Sequence, residues 1–283
     1  MNLNAAATGE SHFMNPLLKY RAKQLAAAIG INLRAALPRR SSLNQFCRHL
    51  RHLEYAPSTI IDVGVADGTL ELHRNFPDAR FLLVEPLEEF TPALEWLKAR
   101  YSAHVAFCAA GPKDGTTEIQ YRPSIAHMHG ATTAQMQDPE ERALNVGREV
   151  PMRRLDSLVH ELQLPAPILL KIDAQGSELE IIDGAEQILH LIDVVVMETT
   201  FFSFNREQPL FHEALSFMLA RGFYPYDMFG GLNRPLDGAL GQIDIAFVHA
   251  NGQFRRDQRY AELFPKTSWI EEVGVLARRW LGA

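Results

Sequence analysis

The chain has 283 residues, 47% of them hydrophobic, and a formal net charge of −6. That is enough apolar material for one full-sized core with a smaller appendage, which excludes disorder throughout. No apolar run approaches the roughly 20 residues that span a bilayer, no signal-like h-region opens the chain, and the two cysteines, Cys47 and Cys108, have neither disulfide-framework nor metal spacing. A soluble protein in a reducing, cytoplasmic setting is expected.

Charge divides the chain. Before Pro57 stand Lys19, Arg21, Lys23, Arg34, Arg39, Arg40, Arg48 and Arg51 against only Glu10 and Glu54, so this segment is basic and the remainder strongly acidic. An acidic body argues against a nucleic-acid polymer as partner, because such binding depends on neutralising phosphates. Residues 1–56 read as a basic, helical N-terminal extension. Its stretch Pro16 to Leu37 suits either contact with an anionic membrane surface or partner protein, or a helix that covers a sheet edge with a solvated basic face. Ser41 to Glu54 has Leu43, Phe46, Cys47, Leu50 and Leu53 at helical spacing.

The main domain is expected over residues 57–251. Thr59 to Gly68 reads as a β-branched strand entering a Gly turn, followed by a helix over 69–75. Arg80 to Glu85 is a buried strand stopped by Pro86; a helix over 88–101 and a third strand over 105–109 come next. Thr116 to Tyr121 and Glu149 to Arg153 read as short strands around an irregular insertion, Pro123 to Gly147, of the kind that forms binding loops. A helix over 155–162 leads to the apolar run Ile168 to Ile172, a strand buried on both faces. A helix over 177–190, a strand over 193–198, an aromatic loop at Phe201, Phe202 and Phe204, a helix over 209–221, and strands over 222–226 and 243–249 complete the body, with Gly-rich turns around Gly230 and Gly238. Residues 252–283 read as a helical tail. This alternation predicts an α/β fold with a doubly wound, mostly parallel sheet.

Ligands of such sheets lie outside the carboxyl ends of the strands. The first turn there, Asp62-Val-Gly64-Val-Ala-Asp67-Gly68, is not G-x-G-x-x-G: Ala66 stands where a dinucleotide fold needs a second glycine, and Asp67 puts negative charge where phosphates would lie. Both features weigh against a nicotinamide dehydrogenase and suit a ligand with an amino group or a sulfonium, drawn by Asp62 and Asp67. Glu85, ending the second strand, has the position of an acid that accepts ribose hydroxyls. The expected cofactor is S-adenosyl-L-methionine, held by Asp62, Gly64, Asp67, Gly68, Glu85 and Ala109; no metal is expected.

Ile61-Asp-Val-Gly64, Val84-Glu-Pro86, Val150-Pro-Met-Arg-Arg-Leu-Asp-Ser157, Lys171-Ile-Asp-Ala-Gln-Gly-Ser-Glu178 with Gly184-Ala185, and Ile243-Asp-Ile-Ala-Phe-Val248 resemble the FkbM family of S-adenosylmethionine-dependent methyltransferases. The likeness spans roughly Thr59 to His249 and departs at Gln175, where the family usually has Glu. It implies a Rossmann-like class I methyltransferase fold and often a hydroxyl acceptor such as a sugar or polyketide.

Methyl transfer to oxygen needs an acceptor held in line and its proton removed. Asp173, ending the central strand, is the first candidate for that proton, and His129 the second; His127 and His129 also suit solvated loop positions. Lys171 joins the catalytic set or forms a structural ion pair with a carboxylate on a neighbouring strand, with Glu198 or Asp173 as the partner; Glu198 otherwise orients the acceptor. The phenylalanines at 201, 202 and 204 are either an apolar wall for the acceptor or core. The alternative to an O-methyltransferase acting on a small molecule or glycan is a catalytically silent cofactor-fold protein serving assembly.

Overall fold

The computed structural model describes residues 21, 40–122, 131–132, 143–204 and 208–259. The first half contains helix α1 (Leu43–His52), strand β1 (Thr59–Val63), α2 (Leu70–Asn75), β2 (Arg80–Val84), a 3-10 turn (Glu88–Phe90) running into α3 (Thr91–Lys98), β3 (Ala103–Ala106) and β4 (Ala109–Ala110). There follow β5 (Gly115–Tyr121), β6 (Ala131–Thr132), β7 (Val146–Arg153), α4 (Leu155–Glu161), β8 (Ile168–Ile172), α5 (Glu178–Asp183), a 3-10 segment (Glu186–Leu191), β9 (Ile192–Thr200), α6 (Phe211–Ala220), β10 (Phe223–Asn233) and β11 (Leu240–His249).

Seven strands form the main sheet in the order β10-β11-β9-β8-β1-β2-β3. The run from β9 to β3 is parallel, and β11 lies antiparallel to both β9 and β10. The apolar sequences TIIDV of β1 and ILLKI of β8 fit central positions, since both sheet faces are covered. Alternation then divides the core. Ile60, Phe81, Leu169 and Val196 face a layer with Phe46, Leu50, Leu72 and Leu94, whereas Ile61, Leu82, Leu170 and Val195 face Leu158, Ile182 and Met218. That is the doubly wound arrangement expected. A second, four-stranded sheet, β4-β7-β5-β6, stands beside it.

α1 begins at Ser42, whose side chain accepts a hydrogen bond from Gln45 N, and ends with His49, Arg51 and His52 in its last turn, where cations suit the helix dipole. Its Phe46, Cys47 and Leu50 are fully buried, and Phe46 stacks on Phe229 of β10 at 5.0 Å. The helix therefore belongs to the core of the body, although it precedes Pro57.

Four elements differ from expectation. The third strand ends at Ala106; Ala109 starts β4 in the second sheet, paired with Met152. The helix expected over 177–190 breaks after Asp183, because Gly184 lies so close to Gly111 that a Cβ on it would come within 2.1 Å of the Gly111 carbonyl oxygen. The helix expected over 88–101 opens as a 3-10 turn before Pro92 and ends at Lys98. Gly230 is not a chain reversal but lies within β10, at φ +67 and beside register shifts that mark bulges. Apart from Arg21, residues 16–37 lie outside the described residues, as do His127, His129 and the tail beyond Arg259. Among the described residues no helix is long and apolar enough to cross a membrane.

Candidate active site

A row of ionisable side chains crosses one face of the sheet at the carboxyl ends of its strands. Asp62 on β1 is in register with Lys171 on β8, and Glu198 on β9 is in register with Asp244 on β11. Lys171 Nζ is 3.4 Å from Asp62 Oδ1 and 3.4 Å from Asp173 Oδ2. Burial pulls the Lys171 pKa down, but the Asp62 and Asp173 carboxylates outweigh it and hold the ammonium above its ordinary value. The Asp62 side chain is 0% exposed and accepts no hydrogen bond. Lys171 therefore balances its charge; of the two partners expected for the lysine, Asp173 pairs with it and Glu198 does not, and Asp62 is its other partner.

Glu198 is occupied differently. It accepts hydrogen bonds from Gln242 Nε2 and, at 3.3 Å, from Gln175 Nε2. Burial raises its pKa, and Asp173, Asp244 and Glu178 push the same way. Burial, with Asp173 adding to it and Lys171 opposing, puts Asp244 at about 6.

The turn after β1 is held from both sides. Gly64, at φ +74, donates to the Val84 carbonyl, and a Cβ on it would stand 1.8 Å from the carbonyl oxygen of Asp173. Only glycine permits that approach. Gly68, at φ +105, packs on Leu97 of α3. Ala66 is left-handed at φ +46, and its N–H donates to Glu85 Oε2 at 2.9 Å; Leu87 N donates to Glu85 Oε1 at 3.0 Å. Glu85 thus fastens the turn to the end of β2, a role the sequence does not reveal. Burial lifts its pKa to about 7 against the opposing pull of those two amides.

The loop after β8 is built by Glu178. Its carboxylate accepts from Ala174 N at 3.2 Å and Gly176 N at 3.0 Å, which fixes Gln175 at φ +55 and Gly176 at φ +121. Asp173 is thereby fixed at the mouth of the strand with its side chain 37% exposed, and Gln175 Nε2 donates to its Oδ1 at 2.9 Å.

The residues named from the sequence separate into two groups. Asp62, Gly64, Lys171 and Asp173 meet in one contact network, with Glu85 joined to it through the turn. Asp67 is exposed in the turn, and Ala109 is buried in β4. Phe201 and Phe204 are 37% and 38% exposed; Phe201 stacks on Phe211, and Phe202 lies under the Arg234 guanidinium. Gln175 follows Asp173 at the carboxyl end of the central strand, where the sequence already places chemistry, whereas Glu178, Gln242 and Asp244 are not read from the sequence as site residues. Of these, only Glu178 has a local signal, the acid that follows the turn glycine.

The donor set fits S-adenosylmethionine. Carboxylates surround the turn where a sulfonium and an amino group would be drawn, Asp67 disfavours a pyrophosphate, and each Glu85 oxygen has a lone pair beyond the amide it accepts.

The chain is similar, at low scores, to several solved methyltransferases. The O-methyltransferase from Bacillus cereus in complex with SAH is 13% identical at a TM-score of 0.41, covering 84% of this chain and 93% of its own. The N-methyltransferase NodS from Bradyrhizobium japonicum is 10% identical at 0.39, covering 73% and 93%. Likenesses of this size add nothing to the strand order itself. No curated protein sequence matches the chain. The family described as Methyltransferase FkbM domain, whose members use S-adenosylmethionine, matches residues 62–225, from the buried aspartate of β1 into β10. With more than half its length matched, including both turns of the site, the chain belongs to the FkbM methyltransferase family.

Proposed function

We propose that the protein transfers a methyl group to a hydroxyl oxygen of a small molecule or glycan, with Asp173 accepting the hydroxyl proton. The observation that carries this reading is the position of Asp173. Its main chain touches Gly64 of the cofactor turn, and its carboxylate stands partly exposed at the mouth of the central strand. S-adenosylmethionine supplies a methyl group already activated by its sulfonium. The protein's part is to hold the acceptor and give its proton a place to go. Lys171, 3.4 Å from Asp173 Oδ2, acts through Asp173 by helping to hold its carboxylate in place. Glu85 and the turn bearing Gly64, Asp67 and Gly68 form the cofactor side, with Ala109 behind them. His129, outside the described residues, is the second proton acceptor of this reading.

The acidic body supports a small acceptor rather than a nucleic acid. The reading places the catalytic domain over residues 57–251 together with α1, whose Phe46, Cys47 and Leu50 pack into its core. The basic segment before it serves contact with a partner protein or a membrane surface, and the tail begins at residue 252. It also keeps a cytoplasmic setting, in which Cys47 and Cys108 stay free thiols; burial raises the pKa of the first to about 12 and of the second to about 11.

The test is incubation with methyl-labelled S-adenosylmethionine and a panel of sugar and polyketide alcohols, followed by NMR of the products. A labelled O–CH3 is expected. Label on nitrogen or carbon overturns the oxygen acceptor, and cofactor binding without transfer to any acceptor favours a silent protein.

A further inference from the structure

Asp173 and Glu198 come from adjacent parallel strands and meet across a single side chain. Gln175 Nε2 is 2.9 Å from Asp173 Oδ1 and 3.3 Å from Glu198 Oε2. Ionised carboxylates only accept hydrogen bonds, so the amide must turn its NH2 toward them, and its two N–H bonds match two acceptors. The backbone at Gln175 is left-handed, φ +55, a conformation that costs free energy for a side chain of this kind. Glu178 enforces it by gripping the amides on either side, Ala174 N and Gly176 N. The rest of the surroundings are unequal. Asp173 has Lys171 at 3.4 Å. Glu198 has Gln242 on its other oxygen and faces Asp244 across the strand pair, with no ion pair to it among the described residues.

We propose that Gln175 is a positioning residue whose side-chain amide clamps the Asp173 and Glu198 carboxylates into one unequal pair at the acceptor side of the site. This rests on the reading of Asp173 as the proton acceptor. The clamp lets the two acids stand together without both repelling. Asp173 is the member beside Lys171, and Glu198 the member among acids and amides. The groups that face Glu198 are Asp173 and Lys171 from β8 and its loop, Asp244 from β11 and Glu178 from α5, and burial with three of these four favours its neutral form. A neutral Glu198 can donate a hydrogen bond to the acceptor beside Asp173, the proton acceptor of the proposed reaction.

The test needs no acceptor. Aspartate and glutamate carboxyl carbons are labelled with 13C and titrated by NMR in the full chain, with Asp173→Asn and Glu198→Gln assigning the two signals. In the wild type the Glu198 signal titrates above the ordinary glutamate range. In Gln175→Glu, which replaces the shared donor with a third carboxylate, the Glu198 midpoint rises further, by about one pH unit or more. Gln175→Leu, which removes the donor without adding charge, moves it the same way by less. S-adenosylhomocysteine affinity, measured by calorimetry, stays within twofold in both variants, since Gln175 makes no part of the turn. Glu198 midpoints unmoved in two folded variants overturn the clamp. A loss of cofactor affinity with unmoved midpoints does so as well, and makes Gln175 a structural residue of the loop. Full methyl transfer by Asp173→Asn sinks the proton-acceptor reading instead, whatever the titrations show.

Discussion

Lys171 is the residue on which the charge balance of the site depends. It is recognisable in the sequence as a lone cation in an apolar strand, but its partner is not, because register alone sets Asp62 beside it. Replacing it by Met strands a fully buried carboxylate, and the loss of stability should be roughly 3 to 5 kcal/mol in urea unfolding at pH 8. A Lys171→Met midpoint equal to that of the wild type contradicts the pairing. Glu85 makes a second case. Its place at the end of a strand is readable; its two backbone partners are not, since Ala66 lies 19 residues upstream. Glu85→Ala should weaken S-adenosylhomocysteine binding by about 3 kcal/mol or more, through the ribose and through the loosened turn together. Calorimetry that finds unchanged affinity in the folded variant removes Glu85 from the cofactor site.

At the scale of elements, strands whose apolar runs are uninterrupted were readable, β1, β2 and β8 above all, because burial on both faces leaves one pattern. Departures arise where a distant contact overrides a local one. Gly184, just after α5, lies against the Gly111 carbonyl, and Gly230, within β10, has Asp244 Oδ2 2.6 Å from where its Cβ would be, so both places require glycine. The limit at Ala56-Pro57 follows a change in charge, which is a surface property, whereas α1 before it is fastened by its buried face. Removing residues 1–39 should leave S-adenosylhomocysteine affinity unchanged, since every candidate site residue follows Pro57. Removing residues 1–56 takes Phe46, Cys47 and Leu50 out of the core. At about 1.5 to 3 kcal/mol for a large buried side chain, that loss approaches the whole net stability of a domain. Circular dichroism and urea titration of the two truncations should show one folded and one unfolded; two equally stable proteins contradict the packing of α1.

For the whole molecule, the alternation of strands and helices was enough to give a doubly wound sheet. The insertion of β11 between β9 and β10 was not, since an antiparallel hairpin at the sheet edge leaves no periodic mark of its position. The gathering of acids at one end of that sheet has a consequence for stability. Burial, against two backbone amides, holds Glu85 at about 7, while burial draws His49 down to about 4. Between pH 4 and 6.5 these act oppositely: the folded carboxyl keeps a proton the unfolded chain gives up, and the unfolded imidazole keeps one the folded chain refuses. Above pH 6.5 the carboxyl effect remains, so the ligand-free protein should lose about 1 kcal/mol for Glu85 alone between pH 6.5 and 8. Urea unfolding at the two pH values checks this, and a rise in stability contradicts the buried acid.

The central claim is that Asp173 takes the acceptor's proton. Asp173→Asn keeps the shape of the side chain and removes its charge. With an alcohol identified from the acceptor panel, single-turnover transfer from methyl-labelled S-adenosylmethionine should fall by a factor on the order of 10² to 10⁴, with S-adenosylhomocysteine affinity nearly unchanged. A folded Asp173→Asn protein that transfers the label at the wild-type rate would contradict the claim and leave Asp173 as a structural partner of Lys171.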